Sequence, residues 1–345
     1  MAKSTESAHA HRKDEHLALA QTTYEAASAS DFDQVQIIHQ GLPELAATDV
    51  NISTNFGALS MATPFYVEAM TGGSSRTGSL NQQLAEVAAT TGLAMAVGSQ
   101  SIALREPASV ASFTAVRKAN KTGLIFANLG AGHSLADAQR VVDMMEADAL
   151  ELHINTAQEI VMPEGDTDFY WLKNIETIVA HLSVPVIVKE VGFGMSQETA
   201  DKLQSVGVDY INVSGCGGTN FARIENERRH LQERSYLTGW GQSTVQSLLE
   251  VQKSPLHIFA SGGVRNPLDV FKALILGADA VGVAGYFLHV LMTDGQQALQ
   301  DEIITWQTAL RDLYLLTGTK DQHSLHDVAR VLSPALLAYQ TQRGL

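Results

Sequence analysis

Lys189 closes an aliphatic run, Val186-Ile-Val, in which an ammonium is costly unless it meets an anion. A neighbouring carboxylate such as Glu190 would satisfy it structurally, and an anionic ligand would satisfy it functionally. The segment His153-Ile-Asn-Thr-Ala-Gln-Glu159 gathers four polar groups within seven positions. Glu159 is a hard oxygen donor suited to Mg²⁺ shared with a phosphate, and Asn155 and Gln158 can donate hydrogen bonds to the same ligand. Taken singly, His153 reads as a core histidine and Glu159 as a carboxylate at a helix start. The four together read as a site. Two glycine turns, Ser261-Gly-Gly-Val-Arg-Asn-Pro and Leu276 to Gly285, have the form that holds a phosphate against backbone N–H groups. Ser214-Gly-Cys-Gly-Gly-Thr219 allows close backbone approach to a ligand. Cys216 inside it reads as a small residue in a tight loop, because no base accompanies it.

These groups need a scaffold that brings them to one end. Eight short aliphatic segments alternate with helical stretches: Tyr66–Met70, Ala94–Gly98, Leu124–Leu129, Ala149–His153, Val186–Glu190, Tyr210–Ser214, Ile258–Ser261 and Ala280–Ala284. Their continuous apolar character suits parallel strands buried on both faces. Ser134-Leu-Ala-Asp137 resembles a capping box, Ser196 is a candidate N-cap, and Gly207 and Gly277 stand where helices would end. Ala147-Asp-Ala, Val208-Asp-Tyr and Ala278-Asp-Ala form a weak internal repeat between helix and strand. The pattern predicts a (β/α)8 (TIM) barrel of the α/β class, with its chemistry at the carboxyl ends of the strands. The whole chain, 1–345, reads as one domain: an N-terminal extension over 1–60, a barrel core over 61–285 and C-terminal helices over 286–345. Within the extension, Gln34–His39 is expected to be a strand closing the barrel floor. The C-terminal helices are expected at Tyr286–Thr293, Leu299–Leu316 and His326–Tyr339.

The net charge of -14 argues against nucleic acid or an anionic membrane as partner. Basic residues near an anionic ligand must therefore be concentrated, as they are in His11-Arg-Lys-Asp-Glu-His16. Asp14 and Glu15 themselves read as a solvated face. No apolar run approaches a membrane span, Met1 to Glu15 lacks the apolar centre of a secretory signal, and Cys216 is the single cysteine. A reducing cytoplasm is the expected compartment. Met70, Met95, Met144 and Met145 read as packing, and Trp171 and Trp240 as core or rim.

The chain resembles the type II, FMN-dependent isopentenyl diphosphate isomerases from His11 to about Gly285. The resemblance rests on His11-Arg-Lys-Asp-Glu-His16, Met70-Thr-Gly-Gly73, Val97-Gly-Ser-Gln100, His153 to Glu159, Val188 to Gly194, Ser214 to Phe221 with Glu225, and Ser261-Gly-Gly-Val-Arg265. It implies that Ala69, Met70, Thr71, Ser99, Asn128, Lys189, Ser214 and Thr219 line FMN. Gly262, Gly263, Arg265, Ala284 and Gly285 would lie at or near its phosphate. Arg12 and Lys13, with Ser99, Gln100, His153, Asn155 and Gln158, would bind the isoprenyl diphosphate, and Glu159 would hold Mg²⁺. Lys189, Gln158 and Glu225 would be the catalytic side chains, with Phe221 and Glu225 near the isoprenyl end. The resemblance further implies reduced FMN as acid and base, NADPH as its reductant, and a homo-oligomer (tetramer or octamer). One departure is visible: Ser101 follows Gln100 where many relatives carry arginine.

Two other barrel chemistries fit less well. An FMN-dependent 2-hydroxyacid oxidase would need a histidine base after strand six or seven. The loop Gly217-Gly-Thr-Asn-Phe221 has none, and His230 follows only later. A barrel of the inosinate dehydrogenase kind would use a loop cysteine, but the residues around Cys216 do not match. A flavin- or phosphate-binding module without activity would leave Arg12, Lys13, Gln158 and Glu159 without a purpose.

Overall fold

The computed structural model describes residues 8–24, 30–229, 231 and 233–345. His230 lies outside the described residues. Eight parallel strands close into a barrel: β1 (Phe65–Val67), β2 (Met95–Ala96), β3 (Ile125–Gly130), β4 (Ala149–His153), β5 (Val186–Lys189), β6 (Tyr210–Asn212), β7 (His257–Ser261) and β8 (Ala280–Val283). Each falls on one of the eight predicted segments. The observed strands are mostly shorter, because the polar residues at the carboxyl ends turn away from the ladder into the loops above it.

Strand register fixes which of those residues meet. His153 pairs with Lys189, and Lys189 pairs with Asn212. One layer below, Asn128 pairs with Glu151. Since side chains alternate along a strand, these pairings set the height at which each polar group enters the interior.

The outer wall and the surrounding helices form one large apolar core that includes Leu84, Val141, Ile178, Leu248, Phe271 and Trp306. Local signals act as their chemistry requires. Ser134 Oγ accepts from the Asp137 N–H at 3.2 Å, and Ser196 Oγ accepts from the Thr199 N–H. The repeated aspartates tie neighbouring strands together. Asp148 Oδ2 accepts from the Ile125 N–H at 2.9 Å, and Asp279 Oδ2 accepts from the Ile258 N–H at 2.8 Å.

The floor of the barrel differs from the expectation for Gln34–His39. Residues Val35–Ile37 do form a strand, but it pairs antiparallel with Arg330–Leu332, outside the barrel. A hairpin of Thr54–Phe56 and Leu59–Met61 plugs the floor instead. Its Phe56, Leu59 and Met61 pack with Tyr66, Phe126, Tyr210 and Phe259 from the barrel interior. Tyr210 completes the seal by accepting from the Ala58 N–H at 2.6 Å. The expected helix His326–Tyr339 is also divided. Residues His323–Asp327 form a short 3-10 turn, Arg330–Leu332 pairs as above, and the last helix is Pro334–Arg343. Pro334 occupies the first helical turn, where its fixed φ suits a helix start, and Ser333 caps it. No helix among the described residues is long and apolar enough to cross a membrane.

Candidate active site

The carboxyl ends of the strands surround one cavity. Lys189, Glu68, Ala69, Met70, Thr71, Ser99, Asn128, His153, Asn155, Gln158, Glu159, Ser214, Thr219, Gly262, Gly263 and Ala284 line it, together with Arg12, Lys13 and His16 from the N-terminal helix α1 (Ala8–Thr22). Most groups singled out in the sequence therefore share one space.

The inner wall is a connected network of buried polar side chains. Lys189 Nζ lies 3.7 Å from Glu68 Oε1 and donates to the Glu190 backbone oxygen at 3.1 Å. Its ion-pair partner is thus Glu68, which follows β1, and not the carboxylate of Glu190. That carboxylate instead accepts from the N–H groups of Val191, Gly192 and Phe193. Burial favours neutral Lys189, but the ionised Glu68 carboxylate beside it outweighs burial and raises its pKa. The ammonium form is the one the site holds.

Glu68 is held in turn by the Ala69 N–H, by the Tyr66 hydroxyl at 2.9 Å and by Asn212 Nδ2 at 2.8 Å. Burial raises its pKa, yet Lys189 and these donors bring it below the usual carboxylate value. Gly282 on β8 makes room for this side chain, since a Cβ there would collide with Glu68 Oε2. Glu151 behaves oppositely. Burial and the adjacent Glu68 charge push it well above the usual range, so it stays protonated. Asn128 Nδ2 donates to Glu151 Oε2 at 3.0 Å, which leaves Asn128 Oδ1 facing His153 Nδ1 at 2.9 Å. Oδ1 can only accept, so the His153 hydrogen sits on Nδ1 and Nε2 carries the lone pair. Burial first, then the charges of Lys189 and Lys13, lower His153 to about 3 and keep the ring neutral.

The outer lip is built by α1 and the helices Thr156–Val161 and Phe221–Arg228. Arg12 Nη1 pairs with Glu164 at 3.2 Å, Arg228 Nε approaches Glu15 at 3.5 Å, and His16 Nε2 lies 3.0 Å from Glu225 Oε1. Ser74 Oγ donates to Asp14 at 2.6 Å. Asp14 and Glu15, expected to be a solvated face, are therefore anchors that hold α1 across the cavity mouth. Lys13 is brought down to about 8 by burial and the neighbouring Arg12 charge, against the opposing effect of Glu225.

Glu225 is fully buried and does not line the cavity. Burial raises its pKa, but His16, Gln158 and Arg228 outweigh this and hold it near 2. Gln158 Nε2 donates to Glu225 Oε1 at 3.0 Å, and Asn155 Nδ2 donates to Gln158 Oε1 at 3.3 Å and to Glu159 Oε1 at 2.8 Å. Glu159 Oε2 accepts from the Asp166 N–H. Glu225 thus touches the cavity only through Gln158 and His16, which line it.

Three further predicted residues stand outside the cavity lining. Gln100 is fully buried; its Nε2 donates to the Val141 oxygen and its Oε1 accepts from the Asn128 N–H. Its amide groups hold the strand ends together and leave nothing directed at a ligand. Arg265 pairs twice with Asp33, at 2.9 and 2.6 Å, and also with Asp269. It fastens the segment Asp31–Gln34 to the barrel. Gly285 begins the helix Gly285–Asp294 beside Thr219. Cys216 donates to the Trp240 oxygen, and burial first raises the thiol to about 11.

The residues present fit FMN and a shared magnesium ion. Gly262 and Gly263 have φ of 97° and 72°, a region open to glycine, and a Cβ on Gly263 would press on the Gly217 backbone. Among the described residues, the N–H groups of Gly262, Gly263 and Ala284 donate to no protein acceptor. That is the cradle a phosphate needs. No group of three metal-ligating side chains occurs among the described residues. Glu159 alone suits a Mg²⁺ whose other ligands are phosphate oxygens and water.

Sequence reasoning missed Tyr66, Glu68, Glu151 and Asn212. The signal was present for Glu151, a charge inside the apolar strand Ala149-Leu-Glu-Leu-His153, and for Asn212 inside Tyr210-Ile-Asn-Val-Ser214.

Comparison with known proteins agrees with this geometry. The sequence profile of the FMN-dependent dehydrogenase family matches residues 112–330, which sets the class as flavin-binding (β/α)8 barrels. Solved structures of mandelate oxidase share the fold. One, a variant with 4-Br-2-hydroxy-methylphenylacetate, has a TM-score of 0.65 at 19% identity and covers 92% of each chain. The isopentenyl-diphosphate delta-isomerase of Latilactobacillus sakei subsp. sakei (strain 23K) is 52% identical, over 100% of this chain and 99% of its own. The enzyme of that name from Limosilactobacillus reuteri subsp. reuteri (strain JCM 1112) is 50% identical over 99% of both. That from Staphylococcus aureus (strain Newman) is 44% identical over 97% of this chain and 96% of its own. The chain belongs to the type II, FMN-dependent isopentenyl-diphosphate delta-isomerase family.

Proposed function

We propose that this protein interconverts isopentenyl and dimethylallyl diphosphate with reduced FMN as acid and base, Mg²⁺ on Glu159, and NADPH serving only to reduce the flavin. The observation that carries the reading is the sharing of one cavity by a buried ammonium, a phosphate cradle, the Glu159 carboxylate and the cations of α1. When bound, FMN would supply the proton donor and acceptor that no ordinary side chain offers an unactivated alkene.

The protein's own residues then have separable tasks. Gly262, Gly263 and Ala284 would bind the flavin phosphate through backbone N–H groups, while Ala69, Met70, Thr71, Ser99, Asn128, Ser214 and Thr219 would line the rest of the cofactor. Lys189, kept charged by Glu68, would favour an anionic partner at the inner wall. Arg12, Lys13 and a Mg²⁺ on Glu159 would fix the diphosphate, turning the reaction at the alkene into an oriented, unimolecular event. Neutral His153, Asn155 and Gln158 would add directional hydrogen bonds. Phe221 lines the cavity and would help to keep water from the isoprenyl end. A cytoplasmic homo-oligomer belongs to the same reading.

The test is to reduce the flavin-loaded protein with dithionite, add isopentenyl diphosphate and Mg²⁺, and follow the product by NMR, with lactate oxidation as control. Dimethylallyl diphosphate should accumulate. Its absence, with lactate oxidised instead, would overturn the assignment.

A further inference from the structure

The cations around the cavity are not equally available to an anion. Lys189 is paired with Glu68, and Arg12 is paired with Glu164. Two remain with no carboxylate at ion-pair distance among the described residues: Lys13 and Arg105. In a chain of net charge -14, an arginine that faces a cavity without a counter-anion stands apart from its surroundings.

Arg105 ends the short helix Ser101–Arg105, which follows β2 at the carboxyl end of the barrel. Ser101 and Arg105 stand four positions apart and share one face of that helix. The same helix meets Lys13, since both Ile102 Cγ2 and Lys13 Cγ crowd the space where a Gly73 Cβ would stand, at 2.9 and 3.2 Å. Ser101 Oγ lies 3.0 Å from Ser99 Oγ and 2.9 Å from His133 Nε2. Ser99 and Ser101 thus add hydroxyls to the same cavity that Lys13 and Arg105 line.

We infer that Arg105 is a further substrate-binding residue, which with Lys13 and the Ser99 and Ser101 hydroxyls receives the diphosphate of the isoprenyl substrate. This rests on the function proposed above. A guanidinium can meet two phosphate oxygens at once, whereas Lys13 offers a point charge. Arg12, committed to Glu164, contributes only by exchanging that partner.

Arg105 is exposed and makes no ion pair among the described residues, so its replacement leaves the fold and the flavin cradle intact. The experiment measures inorganic pyrophosphate binding to the flavin-loaded protein by calorimetry in Mg²⁺, for wild type, Arg105→Ala and Arg105→Lys. Arg105→Ala should weaken binding about tenfold or more, the scale of one charge-assisted contact, and Arg105→Lys should recover part of it. The KM for isopentenyl diphosphate should rise in parallel with kcat nearly unchanged, and the flavin spectrum should not move. Equal pyrophosphate affinity in wild type and Arg105→Ala, with wild type still isomerising, would overturn the role of Arg105 alone. Wild type that neither binds pyrophosphate nor isomerises would overturn the proposed function and this inference with it.

Discussion

The inner wall and the outer lip of the cavity are built on opposite principles. At the wall, Lys189, Glu68, Tyr66, Asn212, Glu151, Asn128 and His153 are joined by hydrogen bonds and ion pairs, and most are nearly inaccessible to solvent. Protonation states there are set by burial together with neighbours: Glu68 is held ionised, Glu151 protonated and His153 neutral. At the lip, Arg12, Glu164, Arg228 and Glu15 form half-exposed pairs whose partners can change when an anion arrives. On the function proposed above, the wall would be preorganised for a cofactor that stays, and the lip arranged for a substrate that enters and leaves. The carboxylates Glu15 and Glu164 in these pairs are partly solvated, which lowers the cost of exchanging them.

The largest effect of testing that contrast should come from the wall. Lys189→Ala strips the counter-charge from buried Glu68 and should lower stability by about 3 kcal/mol, read by denaturant unfolding. Turnover should fall roughly a hundredfold or more. Pairing Lys189→Met with Glu68→Gln should restore much of the stability and none of the turnover. Recovery of turnover in that double variant would show that the ammonium is structural.

At the lip the effects should be on affinity. Glu159→Gln should raise the Mg²⁺ concentration needed for half-maximal turnover about tenfold, measured by titrating metal into apo-metal enzyme. Identical metal dependence would remove Glu159 from the site. Lys13 gives a pH signature. Its folded pKa of about 8 lies below the ordinary value of 10.5, so the charged form that binds an anion prevails below pH 8 and is lost above it. The KM for the diphosphate should therefore be flat below pH 8 and rise beyond it, and Lys13→Arg should abolish the rise. The smallest effect is expected at Cys216, whose thiol stays protonated. Cys216→Ser should change neither turnover nor flavin binding, and a loss of either would give the thiol a role.

The barrel was legible in sequence because eight apolar segments, separated by capped helices, admit few arrangements. That Gly262, Gly263 and the polar groups of His153 to Glu159 share one cavity was legible because glycine pairs and clustered polar residues fall at the carboxyl ends of the strands. The floor was not, since the strands Thr54–Phe56, Leu59–Met61 and Val35–Ile37 are equally short and only packing against Phe259 and Tyr210 selects the hairpin. Glu68 stayed hidden because nothing local ties it to Lys189; a pairing across the barrel interior appears only when register is known. Gln100 and Arg265 were assigned to ligands by their neighbours in sequence. Their side chains instead satisfy Val141, Asn128, Asp33 and Asp269.

The most direct measurement counts product molecules against reducing equivalents when flavin-loaded protein, reduced once and kept under argon, is given excess isopentenyl diphosphate. If wall and lip serve one isomerisation without net redox change, each reduced flavin should yield many molecules of dimethylallyl diphosphate and remain reduced. One product per reduced flavin, with the flavin left oxidised, would contradict the account.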